Sequence, residues 1–67
     1  MKQHPNGQGW LKANAKYVDT FDTRDDFKLH EAWLDKLAMQ NGKNIAYAVV
    51  PFPGRYGTVQ KWQVFIW

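Results

Sequence analysis

The apolar positions of this chain change their period twice. In residues 10–20, WLKANAKYVDT, they alternate. Leu11, Ala13, Ala15 and Tyr17 fall on one side, and Trp10, Lys12, Asn14, Lys16 and Val18 on the other. Period two predicts a strand, and the β-branched and aromatic run YVDTF points the same way, although Ala and Lys at this density also suit a helix. From Phe27 the spacing becomes helical. At about 100° per residue, Phe27, His30, Trp33, Leu34, Leu37 and Ala38 share one arc, with Lys28, Glu31 and Asp35 opposite. Thr23 stands three residues before Asp26, the spacing of a capping box. Asp25 and Asp26 would face the positive end of the helix dipole, and Gly42 suits the left-handed position after the last turn.

Beyond that stop, IAYAVV at 45–50 is a short apolar run, and 58–67 reads as a final strand. Between them PFPGRYG has two prolines and two glycines, so it is expected to be a long hairpin loop with Arg55 and Tyr56 at its tip. Residues 1–9 are polar, with Pro5, Gly7 and Gly9, and read as a mobile lead-in to a single domain at 10–67.

The resulting order, β-α-β-β, predicts an α+β fold: a three-stranded, mostly antiparallel sheet with one helix packed on one face. A strand–helix–strand crossover leaves its strands parallel, and the last strand would lie between them. One helix covers only one face. With Val50 paired to Thr58, the face of Ala46, Ala48, Val50, Trp62, Val64 and Ile66 would take the helix, joined by Leu11, Ala13, Ala15 and Tyr17. Tyr47, Val49, Val59, Lys61, Gln63, Phe65 and Trp67, extended by Trp10, Lys12 and Lys16, would remain open. The assignment depends on register, since a slip of one residue exchanges the faces.

Composition narrows the class. Apolar residues make up 45% and aromatics 16%, including four Trp, which excludes a disordered chain. There is no Cys, hence no disulfide or thiolate metal site. No apolar run approaches the ~20 residues of a membrane span, and MKQHPNGQG lacks the apolar stretch of a signal peptide, so a cytoplasmic protein is expected. The net charge of +3 hides an asymmetry. All six acids lie between Asp19 and Asp35, whereas Lys2, Lys12, Lys16, Lys36, Lys43, Arg55 and Lys61 flank that stretch. One acidic element in a basic remainder follows.

Catalysis finds little support. The chain has no Ser and no Cys to act as nucleophile, and His30 and Glu31 are adjacent on a helix, where side chains diverge. His30 reads instead as a half-buried structural residue. Two histidines without Cys give no metal spacing, and the aspartates around the helix start lack the alternation and glycine of a calcium loop. No phosphate-binding glycine loop is present, so no metal or cofactor is expected. KWQVFIW shares the alternating aromatics of RNA-recognition sheets but not their glycines or spacing, and identifies no family.

The expectation is therefore a small, non-catalytic binding protein. It would dock a larger protein through an exposed aromatic and basic sheet face of Trp10, Lys12, Lys16, Tyr47, Lys61, Phe65 and Trp67, with Arg55 and Tyr56 as loop anchors. Inhibitors and adaptors of the phage or mobile-element kind have this size. The alternative is a single-stranded nucleic-acid module that stacks bases on the same rings and meets phosphates with the lysines. A homodimer through that face is a third option. No membrane partner is expected.

Overall fold

The computed structural model describes all residues 1–67. It has two helices and one four-stranded sheet: β1 (Lys2–Gln3), α1 (Gly7–Asn14), β2 (Lys16–Phe21), α2 (Arg24–Gln40), β3 (Ile45–Gly54) and β4 (Gly57–Ile66). The sheet order is β1-β3-β4-β2. The β1–β3 pair is parallel, and β4 runs antiparallel to both β3 and β2. The class is α+β, and β4 is flanked on both sides, but the sheet is mixed and four-stranded and carries a helix on each face.

The second helix is the main correction to the sequence reading. Residues 7–14 form α1 rather than the start of a strand, and β2 begins only at Lys16. An isolated eight-residue helix is not stable in water, and the Asn6 side chain does not cap this one. Its support is tertiary. Leu11 is fully buried against Ala46, Ala48, Val50 and Phe65, and the Gln8 Nε2 donates to Gln63 Oε1 at 2.6 Å. The two alanines allow the helix to sit close to the sheet, and burying a leucine contributes about 1.5–3 kcal/mol. Residues 1–9, expected as a lead-in, supply β1 and the first residues of α1. The Met1 amino group donates to Asp35 Oδ2 at 3.0 Å, which ties β1 to α2.

Crossover handedness explains why both faces are covered. The chain passes from β1 at one edge to β2 at the other through α1, and then back to β3 through α2. Crossovers of one hand that travel in opposite directions must pass over opposite faces. Leu11 of α1 therefore packs on the alanine face, while Phe27 and Leu34 of α2 pack with Phe21 and Val64 on the other.

α2 follows its sequence signals. The Asp26 N–H donates to Thr23 Oγ1 at 3.1 Å. At the other end Gly42 has φ 62°, the Lys43 N–H donates to the Ala38 carbonyl and the Gly42 N–H to the Met39 carbonyl, the two bonds of a Schellman motif. The buried stripe is narrower than the sequence arc. It comprises Phe27, Leu34 and Ala38, while Trp33 and His30 lie outside it and are exposed. His30 is thus a surface residue. Its Nδ1 lies 2.7 Å from the Asp26 carbonyl oxygen, and its ring leans on Phe21.

β3 and β4 pair without interruption from Ile45↔Ile66 to Gly54↔Gly57. Val50 faces Lys61 rather than Thr58. This odd shift moves Trp62, Val64 and Ile66 to the face opposite Ala46, Ala48 and Val50, and brings Phe65 and Gln63 beside the alanines. Only Arg55 and Tyr56 form the turn, so residues 51–54 are strand, not loop. Gly54 is required here. A Cβ would lie 2.7 Å from the Gly57 carbonyl oxygen and 2.8 Å from Val59 Cγ1. In β2 the register shifts between Tyr17 and Asp19, so Val18 is an extra residue. This bulge lets Tyr17 and Thr20, three apart, hydrogen-bond across one face at 2.7 Å.

Candidate functional site: the projecting hairpin arm

The expected open face is closed. Phe65 is only 4% exposed and packs in the cluster under Leu11. Trp10 and Trp67 are half-buried and meet edge to face at 5.3 Å, while His4 stacks on Trp10 at 4.3 Å. Aromatic pairs of this kind add about 0.5–1.5 kcal/mol to simple burial, so these rings are consolidated within one molecule. Tyr47 lies on the other face, 4.7 Å from the Phe27 ring beneath α2. The four bulky rings assigned to the docking face are thus divided between the two sides of the sheet. The premise that one helix leaves them wet is overturned by α1.

The lysines also separate. Lys16 pairs with Ile66 at one end of the sheet. There, with Lys43, Asn14, Ala15, Ile66 and Trp67, it lines a shallow, open cleft of about 470 Å³. Lys12 is exposed on the last turn of α1. Lys61 sits five residues further along β4, or roughly 16 Å at 3.3 Å per residue. Its Nζ donates to Asp22 Oδ1 at 2.9 Å and lies 5.2 Å from the Phe52 ring centroid. Lys16, level with Ile66, and Lys61, level with Val50, stand on opposite faces of the sheet.

What remains exposed is the outer half of the hairpin. The β2 pairing ends at Phe21↔Trp62 and the β1 pairing at Gln3↔Tyr47. Past those points β3 and β4 continue alone as a two-stranded ribbon, and the molecule is 40 Å long but only 16 Å thin. In residues 51–60 every side chain except Phe52 is exposed. Phe52 and Val59 face each other on one side, Pro51 and Gln60 on the other, and Tyr56 at the tip is 95% exposed. Arg55 lies 5.8 Å from the Tyr56 ring centroid.

The two edges of this arm differ. Asn44 and Trp67 exchange both backbone hydrogen bonds, so even-numbered residues of β3 bond to β4 and odd-numbered ones point away. The His4 N–H donating to the Tyr47 carbonyl agrees. Pro51 and Pro53 therefore occupy outward positions, where they remove no bond within the hairpin and leave the β3 edge without donors to offer a further strand. On the β4 edge, Thr58 and Gln60 point their backbone groups outward with no strand beside them. One edge is blocked by proline and the other is open.

Of the nine sequence-derived contact residues, Arg55, Tyr56 and Lys61 fall on or at the base of the arm. Phe52 was missed because the prolines read as a loop. Val59 was expected on the open face but not named as a contact residue, and the free Thr58–Gln60 edge follows only from where the β2 pairing stops. The available signal was the alternation of Phe52 against the prolines, which continues the pattern of IAYAVV. No group of three or more His, Cys, Asp or Glu side chains comes together, and no helix is long and apolar enough to cross a membrane. No family model, curated protein or solved structure matches the chain.

Proposed function

We propose that the protein is a small, non-catalytic binding protein that grips a larger protein with its β3–β4 arm. The observation that carries this reading is the arm itself. Residues 51–60 hold Phe52, Arg55, Tyr56 and Val59 on a ribbon that has no neighbouring strand and no covering helix. A bare two-stranded ribbon is marginal in water, and its exposed aromatic and arginine tip adds nothing to the core. Arg and Tyr are the residue types that dominate interface energetics. The open Thr58–Gln60 edge can accept an extended segment of the partner by strand addition, with Phe52 and Val59 offering apolar contact beside it. Inhibition or adaptation of that partner is the consequence that suits a domain of this size.

Capture from lysate by the immobilised protein tests this, with wild type compared against Tyr56→Ala, Arg55→Ala and Gln60→Pro. Protein capture that survives nuclease and is lost in Tyr56→Ala and Gln60→Pro is the expected result. Capture indifferent to the arm substitutions would overturn it. Capture abolished by nuclease would instead favour the single-stranded nucleic-acid reading, for which the acid-free stretch from Lys36 to Trp67 is the supporting feature.

A further inference from the structure

The shallow cleft of about 470 Å³ lies at the end of the sheet away from the arm, and its volume falls in the range of small-molecule sites. Folding brings its lining together from separate segments. Asn14 ends α1, Ala15 and Lys16 lead into β2, Lys43 follows α2, and Ile66 ends β4 with Trp67 just beyond. The apolar wall is held in advance. Trp67 exchanges both backbone hydrogen bonds with Asn44, and its ring meets Trp10 edge to face at 5.3 Å and His4 at 5.6 Å. Ile66 and Trp67 are half-buried, so part of each is left for a ligand. A wall ordered before binding lowers the cost of binding.

The charges around the cleft indicate the ligand. Lys16 and Lys43 are exposed, neither takes part in an ion pair, and none of the six acids lines the cleft. Lysines that follow a helix commonly serve the free carbonyls of its last turn. Here neutral donors reach those carbonyls. The Ala15 N–H donates to the Leu11 carbonyl at 2.8 Å, and Asn14 Nδ2 to the Trp10 carbonyl at 3.0 Å. At the end of α2, the Lys43 N–H donates to the Ala38 carbonyl at 2.9 Å, and Asn41 Nδ2 to the Leu37 carbonyl at 2.8 Å. The two ammonium groups are left for an external anion. We propose that the cleft binds a phosphate monoester carried on a flat ring, with the phosphate between Lys16 and Lys43 and the ring against Ile66 and Trp67. Two lysines balance the charge of a phosphate monoester, about −2 near neutral pH. A carboxylate is better matched by the fork of an arginine, and no arginine lines the cleft. Lys12, two residues before Asn14 and also unpaired, adds to the positive field that draws the anion in.

Titration of the full chain, followed by amide NMR, tests this. Adenosine monophosphate is the probe, with adenosine supplying the ring without the charge and inorganic phosphate the charge without the ring. The cleft is open, so a dissociation constant on the order of 1 mM is expected, rising with added salt. Saturable shifts should centre on the amides of Ala15, Lys16, Lys43, Ile66 and Trp67, and the monophosphate should bind about tenfold tighter than either half alone. Lys16→Ala and Lys43→Ala should each weaken binding by about threefold, and the double variant by about tenfold. Lys36→Ala, which removes an exposed, unpaired lysine outside the cleft, should leave binding unchanged. All three lysines are exposed, so the variants should otherwise keep the wild-type spectrum. Absence of saturable shifts up to about 10 mM, adenosine binding as tightly as its monophosphate, shifts shared equally by lysines outside the cleft, or a double variant that binds like wild type would each overturn the proposal. The arm takes no part in any of these outcomes.

Discussion

The inner and outer halves of the β3–β4 hairpin are built from the same kinds of residue and meet opposite fates. Inside, Ala46, Ala48, Val50, Val64 and Phe65 are buried under a helix on one face or the other, and β1 and β2 flank the hairpin as far as Tyr47 and Trp62. Outside, Tyr56 and Val59 are exposed, and Phe52 is half-buried at the margin of the Leu11 cluster. The backbone ladder is continuous across the boundary, so hydrogen bonding does not distinguish the halves. Lateral and vertical neighbours do. Stability comes from the half that is covered, and the half that is not covered is free to serve a partner.

Substitutions that separate the halves give the sharpest tests. Leu11→Ala and Leu34→Ala remove the central contact of α1 and of α2 on the inner half. Each is expected to cost about 2–5 kcal/mol in denaturant unfolding, much of the margin of so small a domain. A negligible cost for Leu11→Ala would mean that α1 does not seal its face. Gly54→Ala drives a Cβ into the Gly57 carbonyl and Val59, an overpacking that costs typically 1–3 kcal/mol. Its effect should stay local: hydrogen exchange should lose amide protection in 50–61 while Leu11 and Val64 keep theirs. Protection lost throughout would show that the halves fold as one unit. At the boundary, Asp22→Asn breaks the exposed pair with Lys61 and is expected to shift unfolding by less than about 1 kcal/mol. Tyr56→Ala should change stability least, within about 0.5 kcal/mol, while abolishing partner capture.

Much of the scaffold was legible in the residues, and the reasons are local. Thr23, Asp26 and Gly42 act on backbone groups within one turn of themselves, so the bounds of α2 follow from neighbours in the chain. The pairing of the last two strands and the central place of β4 follow from their adjacency and from the crossover rule. The start of the domain was not legible. WLKANAK satisfies a strand period and a helix composition equally, and only the alanine-lined face of β3, more than thirty residues away, decides for the helix. Trp33 was misplaced because a helical arc drawn from sequence has no knowledge of which few residues the sheet can reach. The contact residues divided in the same way. Arg55 and Tyr56 lie in a turn that local chemistry marks, whereas Phe65 and Trp67 were assigned by a register that the two-residue turn reversed, and Trp10 by a strand that folds as α1.

The sequence by itself determined the α+β class, the capped helix and the hairpin, because each rests on interactions between residues close in the chain. The tertiary structure decided which face each strand shows and which rings are free. Those outcomes depend on register and on α1, and both are set by contacts between distant segments. A two-residue turn in place of a long loop, and eight residues that become helix only when Leu11 finds its pocket, move the exposed surface from the sheet to the arm.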